Sequence, residues 1–122
     1  MPTVLTKPLL RRFDTPDETR TFEKGRVEIF RLGDVTIGRA IFEPGWRWSK
    51  HVKPISGTDS CEVRHLAYVI SGHIKTVMED GTVIEGGPGD LADIPAGHDA
   101  WVLGDEPVVM LDLLGLESYA RG

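Results

Sequence analysis

The strongest constraint on this chain is its punctuation. Turn-forming clusters recur at short intervals: Gly33-Asp34, Pro44-Gly45, Ser71-Gly72, Asp80-Gly81, Gly86-Gly87-Pro88-Gly89 and Pro95-Ala96-Gly97. Between them lie short runs rich in Val, Ile, Leu, Thr and aromatic residues, which suit a pleated, half-buried surface. Residues 27–32, 35–42, 46–52, 65–70, 73–78, 82–85, 91–94, 100–103 and 108–114 read as strands, so the pattern predicts an all-β jelly-roll barrel. At 122 residues the chain is one domain. It divides into an N-terminal extension, residues 1–25, and a barrel domain, residues 26–122. Within the extension, Asp14 and Thr15 before Pro16, Asp17 and Glu18 predict one or two turns of helix, with a cap, a preset φ and acids at the positive end of the dipole. The stretch 53–61 is the one long irregular interval in the β region and reads equally as a site element or a surface excursion.

Composition excludes several classes of function. Fourteen Lys and Arg against nineteen Asp and Glu give a net charge of −5, so no attraction to a phosphate backbone is expected and nucleic acid is not a partner. No apolar run approaches the length of a membrane span, and residues 1–12 lack the pattern of a signal peptide. The single cysteine, Cys61, cannot form an intrachain disulfide, which fits a cytoplasmic location. Gly86-Gly87-Pro88-Gly89 precedes a strand rather than a helix and is not a phosphate cradle.

Four histidines and Cys61 supply the candidate metal ligands. If residues 46–52 and 65–70 are extended, His51 shares a face with Ser49 and Arg47, and His65 faces the interior with Ala67 and Val69. Positions 98 and 100 share a face in the same way. His51, His65 and His98 can thus converge. Cys61 can join His65 only if the chain bends between them; otherwise it is a small buried hydrophobe. His73 follows a turn and reads as surface filler. Asp99, next to His98, suits a base or an orienting group, while Arg47 and Lys53 are the cations available to clamp a substrate or are simply solvated. Asp112 lies between Leu111 and Leu113 and must face solvent or a polar pocket.

Gly45 and His51 are separated by five residues, and His65 and Gly72 by six; Gly89-Asp90 and Pro95-Ala96-Gly97-His98 follow. This arrangement resembles the two signature motifs of the cupins, over roughly residues 35–112. The resemblance implies a double-stranded β-helix barrel, a homodimer, and a metal held by a His-x-His pair, a Glu and a final His. Carried over position by position, the first His falls on His51, the second on Lys53 and the Glu on His65. The final His falls on Ala100, with His98 two residues before it. The expected site is therefore a rearranged one: His51, Cys61, His65 and His98 around one divalent transition metal, zinc or iron, with Arg47, Lys53 and Asp99 toward a small-molecule substrate. Such a site serves a metal-dependent dioxygenase, hydrolase or isomerase acting on a small polar substrate. The alternative is a non-catalytic binding or sensing module whose metal site is structural or lost.

Overall fold

The computed structural model describes residues 6–117, 119 and 120. Residues 1–5, at the start of the expected N-terminal extension, lie outside the described residues, as do 118 and 121–122. Two antiparallel sheets face each other. The larger carries β1 (Glu18–Phe22), β2 (Gly25–Leu32), β3 (Val35–Phe42), β9 (Val108–Asp112), β4 (His65–Ser71) and β7 (Leu91–Ile94), in that spatial order. The smaller carries β6 (Val83–Gly86), β5 (His73–Met78) and β8 (His98–Leu103). The sheets are not closed into a hydrogen-bonded barrel, and the architecture is a cupin-like jelly roll. No helix among the described residues is long and apolar enough to cross a membrane.

Two expected elements differ. Residues 14–18 form no helix. The Asp17 carboxylate, the expected helix-start charge, instead accepts hydrogen bonds from the Arg31 backbone N–H and the Arg11 guanidinium, both at 2.7 Å. The following Thr19, Thr21 and Phe22 extend as β1 and pair with β2. Residues 46–52 are not a strand either: α1 (Trp48–His51) and α2 (Lys53–Ser56) are single helical turns. Asp99 Oδ1, on β8, accepts the Ser49 N–H at 3.1 Å and so caps α1 from a distant part of the chain. Trp46, Trp48 and Val52 are all buried, because a helical turn and its entry direct them to the same interior.

The core lies between the sheets. Phe42 and Trp46 stack with ring centroids 3.8 Å apart, and Val27, Ala40, Val102 and Val108 complete the packing. The turn joining β4 to β5 depends on Gly72. Its φ is +78°, and a Cβ there would meet the Pro107 carbonyl. Gly72→Ala combines a left-handed backbone with a backbone clash, and is expected to lower stability by about 2–4 kcal/mol. Urea unfolding midpoints measured at unchanged slope check this.

Candidate metal centre

Backbone pairing builds the site. Cys61 and His98 form an isolated antiparallel bridge: the Cys61 N–H donates to the His98 carbonyl at 2.8 Å, and the Gly97 N–H donates to the Cys61 carbonyl at 2.7 Å. His65 opens β4 opposite Ile94 of β7. The chain bends between Cys61 and His65, so that Sγ lies 3.7 Å from His65 Nε2. Gly115 allows the C-terminal segment to pass close by, since a Cβ there would meet the Arg64 carbonyl and sit 3.1 Å from His65 Nδ1.

Each imidazole is fixed through its other nitrogen. His65 Nδ1–H donates to Asp112 Oδ2 at 2.5 Å. His98 Nδ1–H donates to the Pro95 carbonyl at 2.8 Å, an acceptor that dictates the tautomer. Both Nε2 atoms are thereby offered to the site. Asp112 is held in turn, its Oδ1 accepting backbone N–H groups from Leu66 at 3.3 Å, Leu114 at 3.0 Å and Gly115 at 3.2 Å. The ligating atoms of Cys61, His65 and His98 all lie within 4.8 Å of one another. In a tetrahedral zinc site, sulfur and nitrogen ligands sit roughly 3.5 Å apart, so this donor set fits a borderline metal ion.

The electrostatics follow from that packing. Burial pushes the Cys61 thiol up, but hydrogen bonds and charge from His65 and His98 outweigh it and bring the thiol down to about 6. Burial pushes His65 down, but Asp112 and then Cys61 outweigh it and raise the imidazole to about 9. Burial also pushes Asp112 up; its bond to His65 and the backbone N–H groups reverse this and hold it below the ordinary carboxylate value. Tyr119 packs edge-on against His65 with centroids 5.4 Å apart, and its burial keeps the phenol protonated. The Arg20 guanidinium fastens that segment by donating to the Leu116 carbonyl at 3.0 Å and the Tyr119 carbonyl at 2.7 Å.

The structure thus brings together Cys61, His65 and His98 and leaves the other expected site residues elsewhere. His51 is not among them. Its Nδ1 accepts the Arg47 backbone N–H at 3.0 Å, and its Nε2 faces Glu23 at 3.9 Å, so neither nitrogen is offered to the cluster. Arg47 lies over the Trp101 ring at 4.2 Å and reaches Asp99 at 3.3 Å. Asp99 spends its other oxygen on the Ser49 and Ala100 N–H groups. Lys53 sits 3.8 Å from the exposed Asp59. Arg47 and Asp99 therefore brace α1, Lys53 lies at the surface, and none of the three lines the interior cavity. His73 is exposed at the start of β5. Sequence reasoning left the role of Asp112 open and gave none to Tyr119. For Asp112 the usable signal was an acid inside an apolar strand; for Tyr119 there was none.

A cavity of about 60 Å³ lies between the sheets beside His65 and His98, walled by Ala67, Val69, Ile74, Ala100 and Met110 among others. Asp112 lines it as well.

No protein-family profile and no curated protein matches this chain. Solved structures do. The polyketide cyclase RemF from Streptomyces resistomycificus is 17% identical with a TM-score of 0.60, over 90% of this chain and 80% of that one. A cupin-like protein from Thermotoga maritima is 15% identical with a TM-score of 0.56, over 86% and 81%. A mutant of the Bacillus subtilis oxalate decarboxylase OxdC is 24% identical with a TM-score of 0.52; the match spans 83% of this chain but 27% of that one. At these identities the likeness establishes a cupin fold and stops there.

Proposed function

We propose that this chain holds one divalent transition metal, zinc or iron, through Cys61, His65 and His98, and acts there on a small molecule entering the cavity between the sheets. The observation that carries this reading is the convergence of three ligating atoms with both imidazoles locked through Nδ1. A bound metal supplies Lewis acidity toward a substrate oxygen or an activated water. The chain's own part is to orient His65 through Asp112, to fix His98 through the Pro95 carbonyl, and to keep water out with apolar walls. Hydrolase, isomerase or dioxygenase chemistry all suit such a centre. The proposal extends to a reducing, cytoplasmic setting, from the single free thiol. It extends also to a homodimer formed through the outer face of the larger sheet, where Tyr68, Ile70 and Leu91 are exposed.

Elemental analysis of chelator-free protein is expected to find about one metal per chain. In the cobalt(II)-substituted protein a thiolate charge-transfer band is expected, and Cys61→Ser should abolish it. Absence of both stoichiometric metal and that band would sink the reading. A non-catalytic site is the second reading, favoured by the absence of Arg47, Lys53 and Asp99 from the cavity wall. Azide separates the two, since it perturbs the cobalt spectrum only where a coordination position is open.

The pH dependence of metal uptake has a definite sign. Between about 6 and about 9, the metal-free pair is a thiolate facing an imidazolium, with Asp112 ionised and Tyr119 neutral. Metal takes the neutral imidazole, so about one proton leaves per ion bound in this window. Apparent affinity is then expected to rise roughly tenfold per pH unit and to flatten above about 9. Zinc titrations by calorimetry in buffers of different ionisation enthalpy count that proton directly.

A further inference from the structure

We propose that Thr76 is the specificity-determining residue of the cavity: its hydroxyl holds the oxygen of a small alcohol, ketone or aldehyde lying between it and the imidazoles. This rests on the reading of the cavity as the substrate site, and narrows the expected small polar substrate to that class.

Strand geometry aims Thr76 inward. It lies on β5, the central strand of the smaller sheet, opposite Ile84 of β6 and Ala100 of β8. Side chains directly opposite one another share a face of the sheet. Thr76, Ile84 and Ala100 all line the cavity, and so does Ile74, two residues along the same strand. Ala100 contributes only a methyl group, so nothing bulky stands over Thr76 from β8.

The hydroxyl is unspent. Thr76 is 3% exposed, and its Oγ1 makes no hydrogen bond among the described residues. Unlike the indole nitrogen of Trp46, that oxygen is not walled in by neighbouring atoms, so a guest in the cavity can touch it. A buried hydroxyl without a partner forfeits the bonds it made to water, and a valine of the same shape would fill the position without that cost. An oxygen on the guest restores the bond: Thr76 donates to a carbonyl, and donates to or accepts from an alcohol.

The register also fixes how far the guest reaches. His98 lies opposite Met78, two residues from Thr76. Thr76 and His98 are thus diagonal neighbours on one face, roughly 7–8 Å apart. The cavity measures about 60 Å³. A dry cavity that holds benzene measures on the order of 150 Å³. The enclosed part of the guest therefore has only a few non-hydrogen atoms, which bridge the hydroxyl and the imidazoles and little more.

Two probes test this: acetone, which carries the oxygen, and xenon, which fills apolar space without a hydrogen bond. Each is titrated into the metal-free and the zinc-loaded protein, following the Ile74 and Ala100 methyl resonances. Acetone is expected to shift both saturably. In Thr76→Val, acetone should weaken about fivefold while xenon binds at least as well as before, and Thr76→Ser should keep acetone within about twofold. Without a guest, Thr76→Val should unfold at no lower urea concentration than the native chain, because the hydroxyl has no partner in the fold to lose. The proposal is overturned by undiminished acetone binding in Thr76→Val, by equal weakening of acetone and xenon, or by no saturable shift in the native chain. A lower unfolding midpoint in Thr76→Val overturns it too, by assigning the hydroxyl to the fold. Acetone binding that depends on Thr76 in a chain that takes up no metal upholds this proposal and removes the metal reading. Stoichiometric zinc with acetone binding indifferent to Thr76→Val does the opposite.

Discussion

Cys61→Ala, His65→Ala and His98→Ala are each expected to weaken metal binding by roughly a hundredfold or more, whereas His51→Ala and His73→Ala retain it. A structural zinc site is worth on the order of 12 kcal/mol shared among its ligands, so losing one of them removes about 3 kcal/mol. His51 tests the argument most sharply, because its position in the chain is that of a ligand while its Nδ1 is already taken by the Arg47 backbone N–H. Competition with a chromophoric chelator measures all five variants on one scale. Cys61→Ser, which keeps the size of the buried side chain, separates loss of the thiolate from loss of packing. Undiminished affinity in the three cluster variants would end the case for this centre, and a comparable loss in His51→Ala would place the metal elsewhere.

Much of the architecture was legible because it is encoded locally. Strands β3, β5 and β7 fall on the residues that their flanking turn clusters mark out, and β4 departs from expectation by one residue. The interior alternation of His65, Ala67 and Val69 follows directly from the period of a strand. What was not legible is held by distant partners. Trp46 and Trp48 alternate with polar neighbours as a strand would, yet the segment turns helical because Asp99, on β8, caps Ser49. His51 matched a motif position but was lost to a backbone contact that exists only once that helical turn forms. Asp17 carries the signal of a helix start, but its carboxylate is claimed by Arg31 across the β1–β2 pairing. The closeness of Cys61 and His65 depends on a bend that spacing allowed and did not require. The role of Asp112 depends on a register, Ala67 opposite Asp112, that no local pattern specifies.

That register makes Asp112 the residue whose replacement should separate the stability of the fold from the competence of its centre. Asp112→Ala removes the partner of a buried imidazole and the acceptor of three backbone N–H groups at once, and is expected to cost about 3–5 kcal/mol in urea unfolding. Asp112→Asn should behave differently. Its amide oxygen can still accept from Leu66, Leu114 and Gly115, so most of the stability is kept. The amide nitrogen then faces His65 Nδ1 as a donor. His65 must present a lone pair there and carry its proton on Nε2, the atom that faces Cys61. Metal affinity is therefore expected to fall about 10–100-fold in a protein that still folds. The proton count on metal binding should change with it, because an amide does not sustain the raised imidazole that Asp112 does. Nitrogen-15 spectra of the histidines show which nitrogen carries the proton in each variant. If Asp112→Asn binds metal as tightly as the native chain, with the same proton release, Asp112 serves only to fold the C-terminal segment. If it loses affinity while stability holds, the carboxylate positions the ligand.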